Sequence, residues 1–280
     1  MQKSEKISAF MIAYNEEKLI ERALKSLKGI VNEIIVIHDG HCDDNTLKIA
    51  KKYTNKIFIP RHKGRAALHL IFALKKCKND WCLKVDADEF LSEKLKKNIN
   101  RLAQNKNASA YTFKWLIWDG KKYVTKNWPR KKSMFRKSSC SFIQFPGWDE
   151  PRTIGETIQT DYLLQHRPPQ GKSELFWKWS TLWKKSSKRC KSQAKYTLKD
   201  FSKIKKFQYN KNKFPIIIRI RKKFPILSSF PFALFALFKI PFSKGAWKEG
   251  LFVFKGGLET SFYYLALGFY INKFKKKKHI

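Results

Sequence analysis

Asp86 and Asp88 stand one residue apart, directly after the apolar run at residues 81–85. In an extended stretch, side chains at i and i+2 leave the backbone on the same side. Two carboxylates held side by side repel, which favours a cation between them or a raised pKa. Magnesium or manganese, bound through one or two carboxylates plus the oxygens of a phosphate-bearing substrate, suits such a pair. The plain alternative is that Asp88-Glu89 merely caps the helix that follows. Asp39 ends another apolar run beside Gly40. A carboxylate there can accept from a base imide or a ribose hydroxyl, or close the strand as an Asx-turn. Tyr14, after a third apolar run, can stack on a heterocycle or pack under the next loop.

These groups share a setting. Residues 7–13 read as a short strand buried on both faces, and residues 33–39, 56–59 and 81–85 as three further strands. Between them, residues 16–28, 44–53 and 65–76 show helical spacing, with Asn15 placed to cap the first. Ser92 caps a further helix running to about residue 105. Strand and helix alternate four times at roughly 25-residue spacing, which argues for a parallel sheet with helices on both faces. Ligands of such sheets sit at the carboxyl ends of strands. Three of those ends carry polar groups: Tyr14-Asn15-Glu16, Asp39-Gly40 and Asp86-Ala87-Asp88-Glu89.

After residue 110 the texture changes. Residues 110–118, 123–125 and 133–135 read as antiparallel strands, with Asp119-Gly120 as a turn. Residues 161–166 read as a last strand, and Arg167-Pro168-Pro169 closes the compact region. Residues 174–207 look helical and very basic. Residues 224–242 and 251–271 are apolar and aromatic, interrupted by Pro225, Pro231, Lys239 and Pro241 in the first and by Gly256, Gly257 and Glu259 in the second. Spanning a membrane takes about 20 mostly apolar residues. With these interruptions and the basic flanks at 219–223 and 273–278, the segments read as helices lying in a membrane interface. A true span or an ordinary packed helical subdomain are the alternatives.

The chain of 280 residues carries a formal charge of +38. Residues 166–280 hold 28 Lys and Arg against 4 Asp and Glu, whereas residues 1–165 hold 32 against 18. The acids therefore gather where the chemistry is placed. The field attracts polyanions such as anionic headgroups, phosphorylated glycolipids or nucleic acid, although a general bias toward Lys would produce it too. The five cysteines, Cys42, Cys77, Cys82, Cys140 and Cys190, form no CxxC pair, and a polar start runs straight into the first strand. Together these read as a reduced, cytosolic chain without thiolate metal sites.

Three runs in order resemble the family 2 glycosyltransferases: residues 7–17 (ISAFMIAYNEE), 35–46 (IVIHDGHCDDNT) and 80–91 (DWCLKVDADEFL). Within that family they are similar to the branch acting in lipopolysaccharide core and related glycan assembly. The likeness covers residues 5–105 well and 106–170 loosely. It implies a GT-A fold, a nucleotide-diphosphate sugar donor, a divalent metal (Mg2+ or Mn2+) and inversion at the anomeric carbon. By position, Tyr14 and Glu16 would line the nucleoside pocket and Asp39 would contact the base. Asp86 would lie near ribose or sugar, and Asp88 would hold the metal. His166 matches a histidine near metal or diphosphate, or is a plain loop histidine. The catalytic base would come from Trp148-Asp149-Glu150, with Glu150 first and Asp149 second; a carboxylate can take the proton of an acceptor hydroxyl as the new bond forms. The chain departs from the pattern at His38, Cys42 and Leu70-Ile71, where an Asp, a small hydroxyl residue and a basic-Asn pair are usual. Arg61, Lys63 and Arg65 are candidates to restore the lost positive charge.

The reading is therefore an α/β, Rossmann-like GT-A catalytic domain over 1–170, a basic helical segment over 171–213, and membrane-associating helices over 214–280. The expected activity is transfer from a nucleotide sugar, UDP-linked by preference, to a lipid-linked or cell-envelope glycan on the cytoplasmic face of a membrane. A polyprenyl-phosphate acceptor is the nearest alternative. From another class, the chain could be a non-catalytic basic protein binding membrane or nucleic acid; nucleic acid is not the expected partner, because no nucleic-acid motif and no Walker loop is present.

Overall fold

The computed structural model describes residues 5–116, 118, 123, 130–168, 179–200, 202–208, 216–242, 247–248 and 251–277. The Asp119-Gly120 turn, residues 124–125 of the strand expected at 123–125, Pro169 and residues 174–178 of the basic helix lie outside them. The boundaries at 170/171 and 213/214 do too.

The alternation expected over the first hundred residues is present. It runs β1 (Ile7–Ala13), α1 (Ile20–Leu27), β2 (Glu33–His38), α2 (Thr46–Lys51), β3 (Ile57–Phe58), α3 (Leu70–Lys76) and β4 (Trp81–Lys84). Then follow β5 (Glu89–Leu91), α4 (Glu93–Gln104), β6 (Ala108–Leu116), β7 (Arg130–Arg136), β8 (Cys140–Ile143), β9 (Arg152–Thr153) and β10 (Glu156–His166). The main sheet has the order β3-β2-β1-β4-β7-β6-β10-β5. Only β7 and β5 run against the rest. Every residue of β1 and β2 is buried. Ile7, Ala9 and Met11 pack into the core on one face of the sheet and Phe10 and Ile12 into that on the other, which is why these strands read as unbroken apolar runs.

Several local expectations change. Asn15 does not cap α1. It sits at φ 52°, in a left-handed turn, and its amide exchanges hydrogen bonds of 3.0 and 3.1 Å with Asp43, so the first helix starts only at Ile20. Helical spacing from residue 65 begins as a 3-10 turn, Ala66–Leu68, before α3. Ser92 does cap α4, its hydroxyl accepting from Leu95 N–H at 3.3 Å. A small second sheet, β11-β8-β9, uses β11 (Lys206–Phe207) from beyond the first basic helix.

The C-terminal part is α5 (Trp179–Leu198), α6 (Ile216–Lys223), α7 (Ser229–Phe242) and α8 (Leu251–Lys276). Cys190, Ala194 and Leu198 of α5 pack against Ala266, Leu267 and Ile271 of α8. Ile143 and Phe145, at and after the end of β8, meet Ile204 and Ile218, which joins the helices to the sheet domain. The glycines expected to interrupt the last apolar stretch do not break α8. Gly257 makes room for α7 instead, because a Cβ on it would lie 3.1 Å from the Pro241 ring; further along α8, a Cβ on Gly268 would lie 2.7 Å from the Pro225 carbonyl. Phe230, Leu234, Phe235, Phe238 and Phe242 of α7 are each more than half exposed. Among the described residues, no helix is long and apolar enough to cross a membrane.

Candidate functional site

Strands β2, β1 and β4 are neighbours and parallel, so the residues after their carboxyl ends converge. His38, at the end of β2, is buried and ties two of those ends together: Nδ1 donates to the Gly40 carbonyl at 2.9 Å and Nε2 accepts from Asn15 N–H at 3.2 Å. Those bonds set the tautomer, and they explain a histidine where the resemblance expects aspartate. The Tyr14 ring is exposed and lies 5.0 Å from His62 and 5.8 Å from His38, centroid to centroid.

Asp39 reaches the same place with both oxygens already engaged. Lys63 and Gly64 N–H donate to it at 2.6 and 2.8 Å, and His69 Nε2 lies 2.6 Å away. Burial alone would raise this carboxyl, but the Lys63 amide and His69 outweigh it and hold the pKa below the usual value. Asp39 thus clamps the 62–64 segment over Gly40. Gly40 has φ +90°, and a Cβ on it would fall 2.6 Å from His62 Cβ. His69 stands one position before Leu70-Ile71, both buried in the core against the sheet.

The aspartate pair is not extended. Glu89 N–H donates to the Asp86 carbonyl at 2.9 Å, closing a turn, so Asp86 and Asp88 take different partners. Asp86 lies 2.7 Å from Lys131 Nζ and 3.7 Å from Lys84 Nζ. Glu89, buried, accepts from Lys131 and from Trp115 Nε1–H and takes the Asp86 N–H at 2.9 Å. Drawing Glu89 under Lys131 is what turns the chain. Burial works to raise Asp86, yet Lys131 and Lys84 hold it well below the carboxylate range. Burial raises Glu89 and, despite Lys131, leaves it above its ordinary value. The same two carboxylates overcome the burial of Lys131 and push its ammonium up.

Asp88 faces His166, at the end of β10, with 3.0 Å between Oδ2 and Nε2. The His166 ring stacks on Trp115 at 4.4 Å, and its buried Nδ1 has no hydrogen-bond partner among the described residues. Asp86 and Asp88 remain 34% and 29% exposed, so the lysines do not seal the pair off. Glu16 looks onto both: burial first, then Asp88, Asp44 and Asp86, push its carboxyl up to about 7. This basin of carboxylates is poised for positive charge. Among the described residues no three Asp, Glu, His or Cys groups form a complete metal cage. Asp88 and His166 would supply two ligands and leave the remainder to phosphate oxygens and water, a division that suits a divalent ion held jointly with its substrate.

Asp149 and Glu150 lie on the loop after β8. The Asp149 carbonyl is 3.5 Å from Lys84 Nζ, which carries the loop to the Asp86 end of the sheet. Asp149 Oδ1 is buried without a hydrogen-bond partner among the described residues. Glu150 is exposed, with its charge acting on Lys132.

With this geometry in view, likeness to known proteins becomes informative. The sequence pattern of Glycosyl transferase family 2 matches residues 8–153, more than half of the chain. The chain belongs to that family. An uncharacterized glycosyltransferase of Rickettsia conorii is 40% identical over 117 residues, 41% of this chain and 41% of the relative. The lipopolysaccharide core biosynthesis glycosyltransferase LpsC of Rhizobium meliloti is 31% identical over 101 residues, 34% of this chain and 36% of the relative. These matches span about two fifths or less of the curated relatives' length. A solved structure of glucosyl-3-phosphoglycerate synthase from Mycobacterium tuberculosis, in complex with Mn2+ and UDP-glucose, is 21% identical, covers 40% of this chain and 44% of its own, and has a TM-score of 0.34, too low to bear on this chain.

In this family 2 glycosyltransferase, Tyr14, Glu16, Asp86, Asp88 and His166 come to one end of the sheet, and Lys84 ties the Asp149 loop to it. Of the three residues that organise the turn, Glu89 belongs to a polar strand end read from the sequence, with helix capping as its alternative, whereas Lys131 and Trp115 were not legible as site residues: Lys131 is one basic residue among 60.

Proposed function

We propose that this family 2 glycosyltransferase moves a sugar, with inversion, from a nucleotide-diphosphate donor, UDP-linked by preference, to a hydroxyl of a lipid-linked or cell-envelope glycan at the cytoplasmic membrane face. The observation that carries the reading is the Asp88–His166 pair at 3.0 Å, faced by Glu16 at the carboxyl ends of adjacent strands. Asp88 and His166 would hold Mg2+ or Mn2+, whose charge neutralises the departing diphosphate. Tyr14 would stack on the base while Asp39 keeps the 62–64 segment in place beneath it. Lys131 keeps Asp86 ionised and oriented toward ribose or sugar. Of the two acidic candidates for the base, Asp149 is favoured: its loop is held at the Asp86 end of the sheet by Lys84, and its Oδ1 makes no hydrogen bond among the described residues, which leaves a lone pair for the proton of an acceptor hydroxyl once the acceptor opens the loop. Glu150 projects into solvent. The likeness to LpsC supports the envelope acceptor, and the exposed apolar row of α7 supports the membrane setting.

The test is UDP binding with and without Mn2+, alongside sugar transfer to lipid-linked acceptors. Asp88→Asn is expected to lose the Mn2+-dependent part of UDP binding and about 100-fold of transfer. Asp149→Asn is expected to bind UDP and Mn2+ as the parent does but to transfer about 100-fold or more slowly. Unchanged Mn2+-dependent UDP binding in Asp88→Asn would sink the proposal.

A further inference from the structure

An open recess of about 350 Å³ lies between the loop that carries Asp149 and the C-terminal helices. Its walls come from separate parts of the chain. Arg65 follows the segment clamped by Asp39, Gly147 precedes Asp149 by two residues, Arg189 comes from α5, and Glu259, Thr260 and Tyr263 come from α8. Through Gly147 and Arg65 it is continuous in the chain with the loop of the proposed base and with the segment that Asp39 clamps.

Two guanidinium groups face this space. Besides lost hydration in the recess, the strongest influence on Arg189 is the like charge of Arg65, and both lower its pKa; Tyr263 and Asp149 act less strongly in the opposite sense. Folding has brought together two cations that repel. Glu259 lines the recess as well, so the two arginines carry its cationic side against a single carboxylate, and the Tyr263 hydroxyl is committed to Gln193. Each guanidinium is a planar fork of N–H donors, and a pair of them matches a tetrahedral dianion better than any neutral sugar face.

We propose that this recess binds a phosphate group carried by the acceptor, separately from the donor diphosphate at Asp88. The inference rests on the transferase reading and adds the class of acceptor: a phosphorylated one, whose free hydroxyl is then presented to Asp149. Arg65, a candidate for restoring charge beside the donor, is assigned here to the acceptor side. The phosphate could belong to a lipid headgroup or to a soluble phosphorylated sugar; the chemistry recognised is the same.

The experiment is calorimetric titration of the full chain with inorganic phosphate after saturation with UDP and Mn2+. Phosphate is expected to bind the UDP-loaded protein. Arg65→Gln and Arg189→Gln are each expected to weaken it about 10-fold or more, with UDP affinity within about two-fold of the parent. Retained UDP binding also certifies that each variant is folded; should Arg189→Gln fail to fold, Arg65→Gln alone decides. Loss of phosphate binding once UDP is present would overturn the proposal, because the recess would then belong to the donor. Phosphate binding that survives both substitutions would also overturn it. A parent that fails to bind UDP refutes the transferase reading whatever phosphate does. Vesicles of phosphatidylcholine with and without phosphatidic acid separate the sources: arginine-dependent binding to the phosphatidic acid vesicles identifies a lipid-borne phosphate, and its absence, with phosphate still bound, a soluble one.

Discussion

Glu16→Gln is expected to make the metal-free protein more stable at pH 8. The Glu16 carboxyl titrates at about 7 in the fold against an ordinary 4.5, through burial and the charges of Asp88, Asp44 and Asp86. A raised folded-state value means that the ionised form is disfavoured by folding. The favourable contribution is complete below pH 4.5 and disappears as pH rises through 7. Full conversion of that difference gives about 3 kcal/mol. Solvent screening at this partly buried position reduces it to about 1–2 kcal/mol. Glutamine is nearly isosteric and leaves the Glu16 N–H bond to Thr46 Oγ1, at 2.6 Å, undisturbed. Urea unfolding in EDTA should therefore show Glu16→Gln about 1–2 kcal/mol more stable at pH 8, with the gap closing by pH 4. An equal gap at both pH values, or a less stable variant at pH 8, refutes the account of carboxylates repelling one another at the strand ends.

Lys131→Met removes the cation shared by Asp86 and Glu89 and should cost about 3–5 kcal/mol in urea unfolding at pH 8. Gly268→Ala forces a methyl against the Pro225 carbonyl at 2.7 Å, whereas the nearest neighbour of a Cβ on Gly256 is at 4.0 Å. The first should destabilise by about 1–3 kcal/mol and Gly256→Ala should be neutral or stabilising by up to about 1 kcal/mol, as read by denaturant midpoints. The double variant Phe235→Glu, Phe238→Glu changes side chains 57% and 59% exposed. It should leave unfolding unchanged yet reduce sedimentation with anionic vesicles by about 10-fold or more.

The first hundred residues were legible because their strands are buried on both faces and their helices on one, so hydrophobic period alone separates them. Asn15 misled because its type suits a helix cap and a left-handed turn equally; only Asp43, 28 positions away, decides between them. β8, β9 and β11 have two to four residues each and exist through pairing partners distant in the chain, beyond the reach of local pattern. Within the site, the polar strand ends converge as their position in a parallel sheet implies, but the bonds made there were hidden. Asp39 looked available and is instead engaged by Lys63, Gly64 and His69. The aspartates looked like twins and are divided between a lysine and a histidine. Gly256 and Gly257 looked like interruptions, yet α8 runs through both, and the effect of Gly257 is felt by Pro241 of α7 rather than by the helix containing it.

The carboxylates around Glu16 form a negative hollow in a molecule whose overall charge is +38. An incoming nucleotide diphosphate would be drawn in from afar and then resisted over the last few ångströms unless a divalent ion travels with it. Capture and seating therefore answer to different ionic conditions. Added monovalent salt should slow arrival by shielding the far attraction, while omission of the divalent ion should leave arrival fast and residence short.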